Sequence, residues 1–310
     1  MISKVKFLAL FCLGVLLPAL LLPGEALAWG PGVHIAIGNG VLGALKLIAP
    51  PIAAVLAEYG RSFLYGSVSA DIFIGKGSSF KPGHSHNWET GMDLLHLVDR
   101  PELKAYAYGY LAHLAADTVA HNYYVPNLLG SLPLSNRLEH VYLEMQADRR
   151  VSWCSEQALD IFDLPLNAAD RSLLLSMDRN PLSFRLKKHL YKSSLVFCSQ
   201  KTLRDSLRFV DNRLSDNQVR SYLDAMLDLS ARVVLDFLRC PQTSPVLWLD
   251  PIGSTNLESA GRFRREQSNV LKTKDFVPLF PVESVLLKLP AAAGIPCCSV
   301  RNTSLLKAAS

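Results

Sequence analysis

His113-Leu-Ala-Ala-Asp117-Thr-Val-Ala-His121 places three ligand-type residues four apart in one short run, and His140-Val-Tyr-Leu-Glu144 repeats the step. Residues four apart on an α-helix lie one above another on a single face. Each run would thus present a column of imidazoles and carboxylates, a donor set suited to zinc. Four residues advance a helix by about 6 Å and turn it by about 40°, so the column drifts by about 80° from His113 to His121. One ion with bonds of about 2.0 Å does not easily take both outer histidines. The spacing therefore suits two or more metals along the helix, with Asp117 in the middle able to bridge. The competing reading is a polar helix face held by ion pairs. Against it, no lysine or arginine lies between His113 and His121, and Arg137 is the one obvious cation near the second column. An uncompensated buried carboxylate is costly.

Further donors lie upstream. Asp71 follows Tyr65-Gly-Ser-Val-Ser-Ala, and His84-Ser-His86-Asn-Trp88 comes next. A lone loop aspartate is normally a turn or cap residue. Here it precedes a histidine pair and the histidine column, which favours a ligand role. His96 and His189 stand apart from these groups and read as ordinary core or surface residues.

The N-terminus adds a different kind of donor. Lys4 and Lys6 precede an apolar run from Phe7 to Leu22, and Ala26-Leu-Ala28 closes it with small residues. That is the pattern of a secretory signal peptide. The expectation is cleavage after Ala28 and a mature protein, periplasmic or secreted, that begins at Trp29. Its free α-amine, with a pKa near 7.7–8.0, could donate to a metal together with its own carbonyl. His34 follows five residues later. Lys4, Lys6 and Glu25 leave with the signal segment, so the formal net charge of +5 falls by only one unit. So mild a charge does not select a partner. Six cysteines are present, and Cys12 leaves with the signal. The remaining five cannot all pair within one chain. Pairing among Cys154, Cys198 and Cys240 stands open beside buried free thiols.

The elements that must position these residues read as helices, so the fold class is all-α. Gly30 to about Ala70 is helical, broken at Pro50-Pro51. Gly66 to His86 is rich in glycine and serine and reads as a loop. Trp88–Val98 is a helix. Pro101 opens the longest one, roughly Glu102 to Tyr124. Pro126 to Pro133 reads as a connection, and Ser135 as the N-cap of a helix running to about Trp153. Shorter helices follow near Ser172–Met177 and Leu182–Leu195, the latter with a basic face of Arg185, Lys187, Lys188 and Lys192. Ser215-Asp-Asn-Gln218 is a capping box ahead of a helix to about Leu238. Beyond Cys240 prolines recur and no long periodic run survives. The expected organisation is a signal peptide over 1–28, a helical domain over 29–240 and a proline-interrupted extension over 241–310 that wraps the body or trails from it.

Together, Trp29, His34, Asp71, Ser85-His86, His113-x3-Asp117, His121 and His140-x3-Glu144 resemble the motif set of the zinc-dependent phospholipase C family. The resemblance covers roughly residues 29–150. The short Asp117-Thr-Val-Ala-His121 step is closer to the N-terminal domain of glycosylphosphatidylinositol-specific phospholipase D than to the secreted bacterial enzymes. The resemblance implies a multi-helix bundle around three zincs. Asp71, His86, His113 and Asp117 would hold the first, and His121, His140 and Glu144 the second. The Trp29 amine and carbonyl, His34 and a bridging Asp117 would hold the third.

Such a centre suits phosphodiester hydrolysis by a metal-activated hydroxide, with Asp71 as candidate general base. Asn87, Asn122 and Tyr123 are candidates to orient the ligands. The leading expectation is phospholipase C-type cleavage of a phospholipid or related phosphodiester, with peripheral membrane-surface contact and no obligate protein partner. One alternative is a zinc-dependent nuclease of the related single-strand type, with nucleic acid as partner. That reading needs aromatics positioned to stack bases; Tyr106, Tyr108, Tyr110, Tyr123 and Tyr124 supply aromatics, but their helical setting favours core packing. The other alternative is a helical domain that zinc only staples together.

Overall fold

The computed structural model describes residues 29–73, 84–131, 143, 146–177, 180–199, 217–267 and 276–292. The signal segment 1–28, Arg137, His140, Glu144, the proposed caps Ser135 and Ser215, and Cys297 and Cys298 lie outside the described residues. Among those described, every regular element is a helix, as expected of an all-α chain.

The architecture is organised around one central helix, α5 (Pro101–Val119). Alanine and glycine occupy much of it, and fifteen of its nineteen residues are buried. A helix apolar on all sides belongs in the middle of a bundle. Around it pack α1 (Pro31–Gly43), α2 (Pro50–Glu58), α3 (Gly60–Ser69), α4 (Trp88–Leu97) and α10 (Asn217–Arg239). Pro31 and Pro101 sit in first turns, where a missing N–H costs nothing.

The pairing of α3 with α5 is the most extensive helix contact among the described residues. It requires two glycines. A Cβ at Gly66 would stand 2.0 Å from the Tyr106 carbonyl oxygen, and one at Gly109 would stand 2.0 Å from that of Phe63. The helices thus meet backbone to backbone. This corrects the reading of Gly66 as the start of a loop: α3 continues through it to Ser69, and a 3-10 turn over Ala70–Phe73 follows. Glycine here serves close approach rather than flexibility.

A second correction concerns Pro126. The chain remains helical past Val119, through a π-type turn at Ala120–Tyr124 and then α6 (Val125–Ser131). Proline gives no N–H to the carbonyl four residues back and crowds it. The π turn widens the helix at this point. The carbonyl concerned, that of Asn122, accepts from Asn256 Nδ2 at 2.8 Å instead.

The remaining elements close the body. They are α7 (Ser155–Phe162), α8 (Asn167–Met177), α9 (Pro181–Ser199), α11 (Ser254–Gln267) and α12 (Ser284–Leu287). The stretch after Cys240 contains a fourteen-residue helix, α11, that the interrupted pattern did not reveal. It packs on α6 and the π turn. Val246 and Leu286 are fully buried, and Phe280 N donates to Asn127 Oδ1 at 2.7 Å. Residues 245–292, where described, thus wrap the helical body rather than trail from it. Cys154 and Cys240 are exposed free thiols, so no pair forms within the trio weighed from the sequence. No helix among the described residues is long and apolar enough to cross a membrane.

Candidate metal centre

Four of the expected ligands meet in one place. Asp71 arrives on the 3-10 turn after α3, His86 on the loop before α4, and His113 and Asp117 on α5. One donor atom from each lies within 4.8 Å of all the others. His86 Nε2 is 3.3 Å from Asp71 Oδ1 and 3.3 Å from Asp117 Oδ2. His113 Nε2 is 3.0 Å from Asp117 Oδ2, 3.6 Å from Asp71 Oδ1 and 3.1 Å from His86 Nε2. Tetrahedral zinc with bonds of 2.0–2.1 Å needs donors about 3.3–3.4 Å apart. The residues fit a zinc ion.

The outer faces of the imidazoles are held too. His113 Nδ1 lies 3.0 Å from the Ser67 carbonyl, to which it donates, so the bare Nε2 points into the cluster. Ser85 Oγ stands 3.1 Å from His86 Nδ1, and His86 N donates to His84 Nδ1 at 3.1 Å. Tyr110 donates to the Ser85 carbonyl and ties this loop to α5. His84, which had no assigned role, thus orients the His86 backbone. The orienting groups expected from the sequence were Asn87, Asn122 and Tyr123. The structure supplies Ser67 and Ser85 for these two imidazoles instead. Asn122 spends its amide on the Thr118 and Asp250 carbonyls.

Asp117 faces two ways. While Oδ2 joins the cluster, Oδ1 stands 3.2 Å from His34 Nε2 on α1. Both atoms are buried, and neither has a hydrogen bond of good geometry. The His34 ring stacks on His113 at 4.0 Å between centroids. A buried carboxylate oxygen and a buried imidazole nitrogen that face each other in this way fit a further cation between α1 and α5.

His121 sits on the π turn, its ring centroid 6.1 Å from that of His86. Its Nδ1 is 2.6 Å from the Pro251 carbonyl. The segment carrying Pro251 approaches so closely that a Cβ at Gly253 would stand 2.3 Å from the His121 carbonyl oxygen, and Gly253 has φ of 64°. Only glycine suits both conditions. Asp250 shapes the turn, with its carboxylate accepting from Ile252 N and Ser254 N. Sequence reasoning missed this support. The Asp250-Pro-Ile-Gly253-Ser run carries the turn-then-helix signal that could have found it.

Trp29 is buried. Its indole N–H lies 3.1 Å from the Ala116 carbonyl and 3.0 Å from Ser230 Oγ, and its ring stacks on Tyr124. The backbone after it is anchored by Asp148, another residue not foreseen. Asp148 accepts from Gly32 N at 3.1 Å and Val33 N at 2.8 Å, capping the first turn of α1 beside His34. Burial pushes the Asp148 carboxyl up to about 7 against those two backbone donors.

The electrostatics are those of a site built for positive charge. Burial alone would raise both cluster carboxyls. For Asp117 the imidazoles of His113 and His34 outweigh it and hold the group well below the usual carboxylate range. For Asp71, His113 and then His86 do the same to a lesser degree. His86 is moved the other way. Burial disfavours its charge, but hydrogen bonds to Asp117 and Asp71 raise it to about 10. Imidazoles rather than lysine or arginine are the ion partners of both carboxylates.

Compared with known protein families, residues 33–216 match zinc dependent phospholipase C. The chain belongs to that family. The match extends well past residue 150, where no motif was legible in the sequence. Curated proteins and solved structures gave no match. A zinc-dependent family and a buried His/Asp cluster together support a hydrolase of this type.

Proposed function

We propose that the protein is an exported phospholipase C-type hydrolase that cleaves the glycerol–phosphate bond of phospholipids. The observation that carries the reading is the shared carboxylate of Asp117. Structural zinc sites close around one ion with four ligands. A carboxylate turned to two neighbouring donor sets favours a multinuclear hydrolytic centre instead. The expected count is three zincs, with Trp29 and His34 beside Asp117 and with His121, His140 and Glu144 completing the set.

Bound zinc would supply Lewis acidity at the phosphoryl oxygens and a lowered pKa for water. The chain supplies the rest. Asp71 gives Oδ1 to the cluster, and its Oδ2 turns towards Tyr191 at 3.5 Å. That second oxygen accepts from the Tyr191 hydroxyl, is kept ionised by His113 and His86, and is assigned to take the proton of an attacking water. Water oxygen bonds to phosphorus as Asp71 takes its proton, the bond to the diacylglycerol oxygen breaks in line, and the departing alkoxide takes up a proton from solvent water, while Asp71 returns its own to solvent. His86 and His113, fixed by Ser85 and Ser67, keep the carboxylates paired and oriented.

Four of the five tyrosines weighed for base stacking give a nuclease no support, while Tyr108 is half-buried and Trp248 is 77% exposed. Tyr106, Tyr110, Tyr123 and Tyr124 are each no more than 2% exposed and are not available to stack on bases. The N-terminal signal pattern supports export. A panel of phosphatidylcholine, phosphatidylinositol, single-stranded DNA and an aryl phosphodiester, with product identification, tests the reading. Diacylglycerol and a phosphorylated head group are the expected products. Cleavage of DNA alone would transfer the site to the nuclease reading, and no cleavage of any substrate would leave a stapled domain.

A further inference from the structure

Helix α9 has an outward face that carries exposed leucines among the described residues. Inward, Phe184 packs on Phe73 at 5.1 Å, Lys188 pairs with Asp170 at 2.7 Å, and Tyr191 reaches Asp71. On the opposite side Leu182, Leu186 and Leu190 follow at four-residue steps and are 74%, 62% and 52% exposed. At about 100° per residue, Arg185 and Lys192 border this stripe on one side and Lys187 on the other. Lys192 also pairs with Asp163, and Lys187 is engaged as well, so Arg185 is the border cation on which the lipid contact chiefly rests. No acidic residue occurs anywhere in Pro181–Ser199.

We propose that this face docks on an anionic phospholipid surface. The leucines enter the boundary between head groups and acyl chains, and the basic borders meet the lipid phosphates. The charge pattern decides between occupants. A second copy of α9 would set the same basic borders against each other, whereas an anionic bilayer complements both. Docking also has a consequence for the site. The stripe and Tyr191 lie on two sides of one helix, so α9, about 10–12 Å across, stands between a bilayer at the stripe and Asp71. The proposal rests on the reading of the centre as a phospholipid hydrolase.

Co-sedimentation of the zinc-loaded protein with vesicles tests it, comparing phosphatidylcholine alone with phosphatidylcholine mixed with phosphatidylserine. The mixed vesicles should bind the protein more tightly, and raised salt should weaken that binding. Leu182→Gln/Leu186→Gln/Leu190→Gln should lose at least about tenfold in binding, with the helical circular dichroism retained. Arg185→Gln should lose roughly fivefold on mixed vesicles only. Equal binding by the triple variant and the unmodified protein would overturn the proposal. So would absence of vesicle binding together with a concentration-dependent dimer that the triple variant abolishes. Turnover of an aryl phosphodiester in solution separates the two ideas. Turnover without vesicle binding overturns the docking face alone. Vesicle binding without turnover of any phosphodiester overturns the catalytic reading and leaves the docking face standing.

Discussion

Asp117 Oδ1 stands 3.2 Å from His34 Nε2, while Oδ2 of the same carboxylate stands 3.0 Å from His113 Nε2. One side chain on α5 thus joins a donor from α1 to the cluster assembled by α3, the loop before α4, and α5 itself. Asp117→Asn replaces one of those oxygens by an amide that cannot bridge. Zinc content should fall by at least one ion, and phosphodiester turnover should drop by more than about 100-fold. Full turnover with unchanged zinc would remove the bridging role.

Protons and zinc compete for His86. Without metal its imidazolium is stabilised up to about pH 10, against an ordinary value of 6.5. The folded pKa is raised, so this group's contribution to metal-free stability is fully present below about 6.5. It is lost as pH rises through about 10. Zinc needs the deprotonated ring, so binding at neutral pH must release that proton, and affinity must rise with pH. Calorimetric titration of chelator-stripped protein in two buffers of different ionisation enthalpy measures the release. Heats that do not depend on the buffer would contradict it.

The Gly66–Gly109 contact places Asp71 opposite His113 and Asp117. Gly109→Ala would press a methyl group into the Phe63 carbonyl. Neither backbone can yield locally, so α3 and α5 must separate. A loss of about 1–3 kcal/mol in unfolding free energy is expected, with weakened zinc binding because the donors on the two helices move apart. Denaturant unfolding and zinc titration of the same variant check both. Wild-type stability would show that the helices can separate freely.

Asp148 caps α1 two residues before His34. Asp148→Ala leaves the Gly32 N–H without its acceptor and the Val33 N–H with only the Gly30 carbonyl, at 3.1 Å. It should cost about 1–2 kcal/mol and lower zinc occupancy at the His34 end more than at the His86 end. Loss of a whole zinc equivalent with the Asp71–His86–His113 cluster still filled is the expected signature. Equal loss from both would mean that the carboxylate supports the fold generally.

The sequence exposed the chemistry better than the path of the chain. Ligand-type residues four apart on α5 were legible because helix periodicity is local, and Asp71 and His86 because few other donors lie upstream. Gly66 misled because the same residue marks both loops and close helix contacts, and only a partner such as Gly109 distinguishes them. Pro126 misled because relief of its clash depends on a π turn and on Asn256, 130 residues away. Asp148 and the Pro251 carbonyl are long-range partners of α1 and His121. A backbone carbonyl carries no residue-type signal at all.

The zinc content of the mature protein, counted by native mass spectrometry, tests the central claim most directly. A centre bridged by Asp117 requires at least two ions per chain, and the proposed ligand set calls for three. A count of one or none would contradict it.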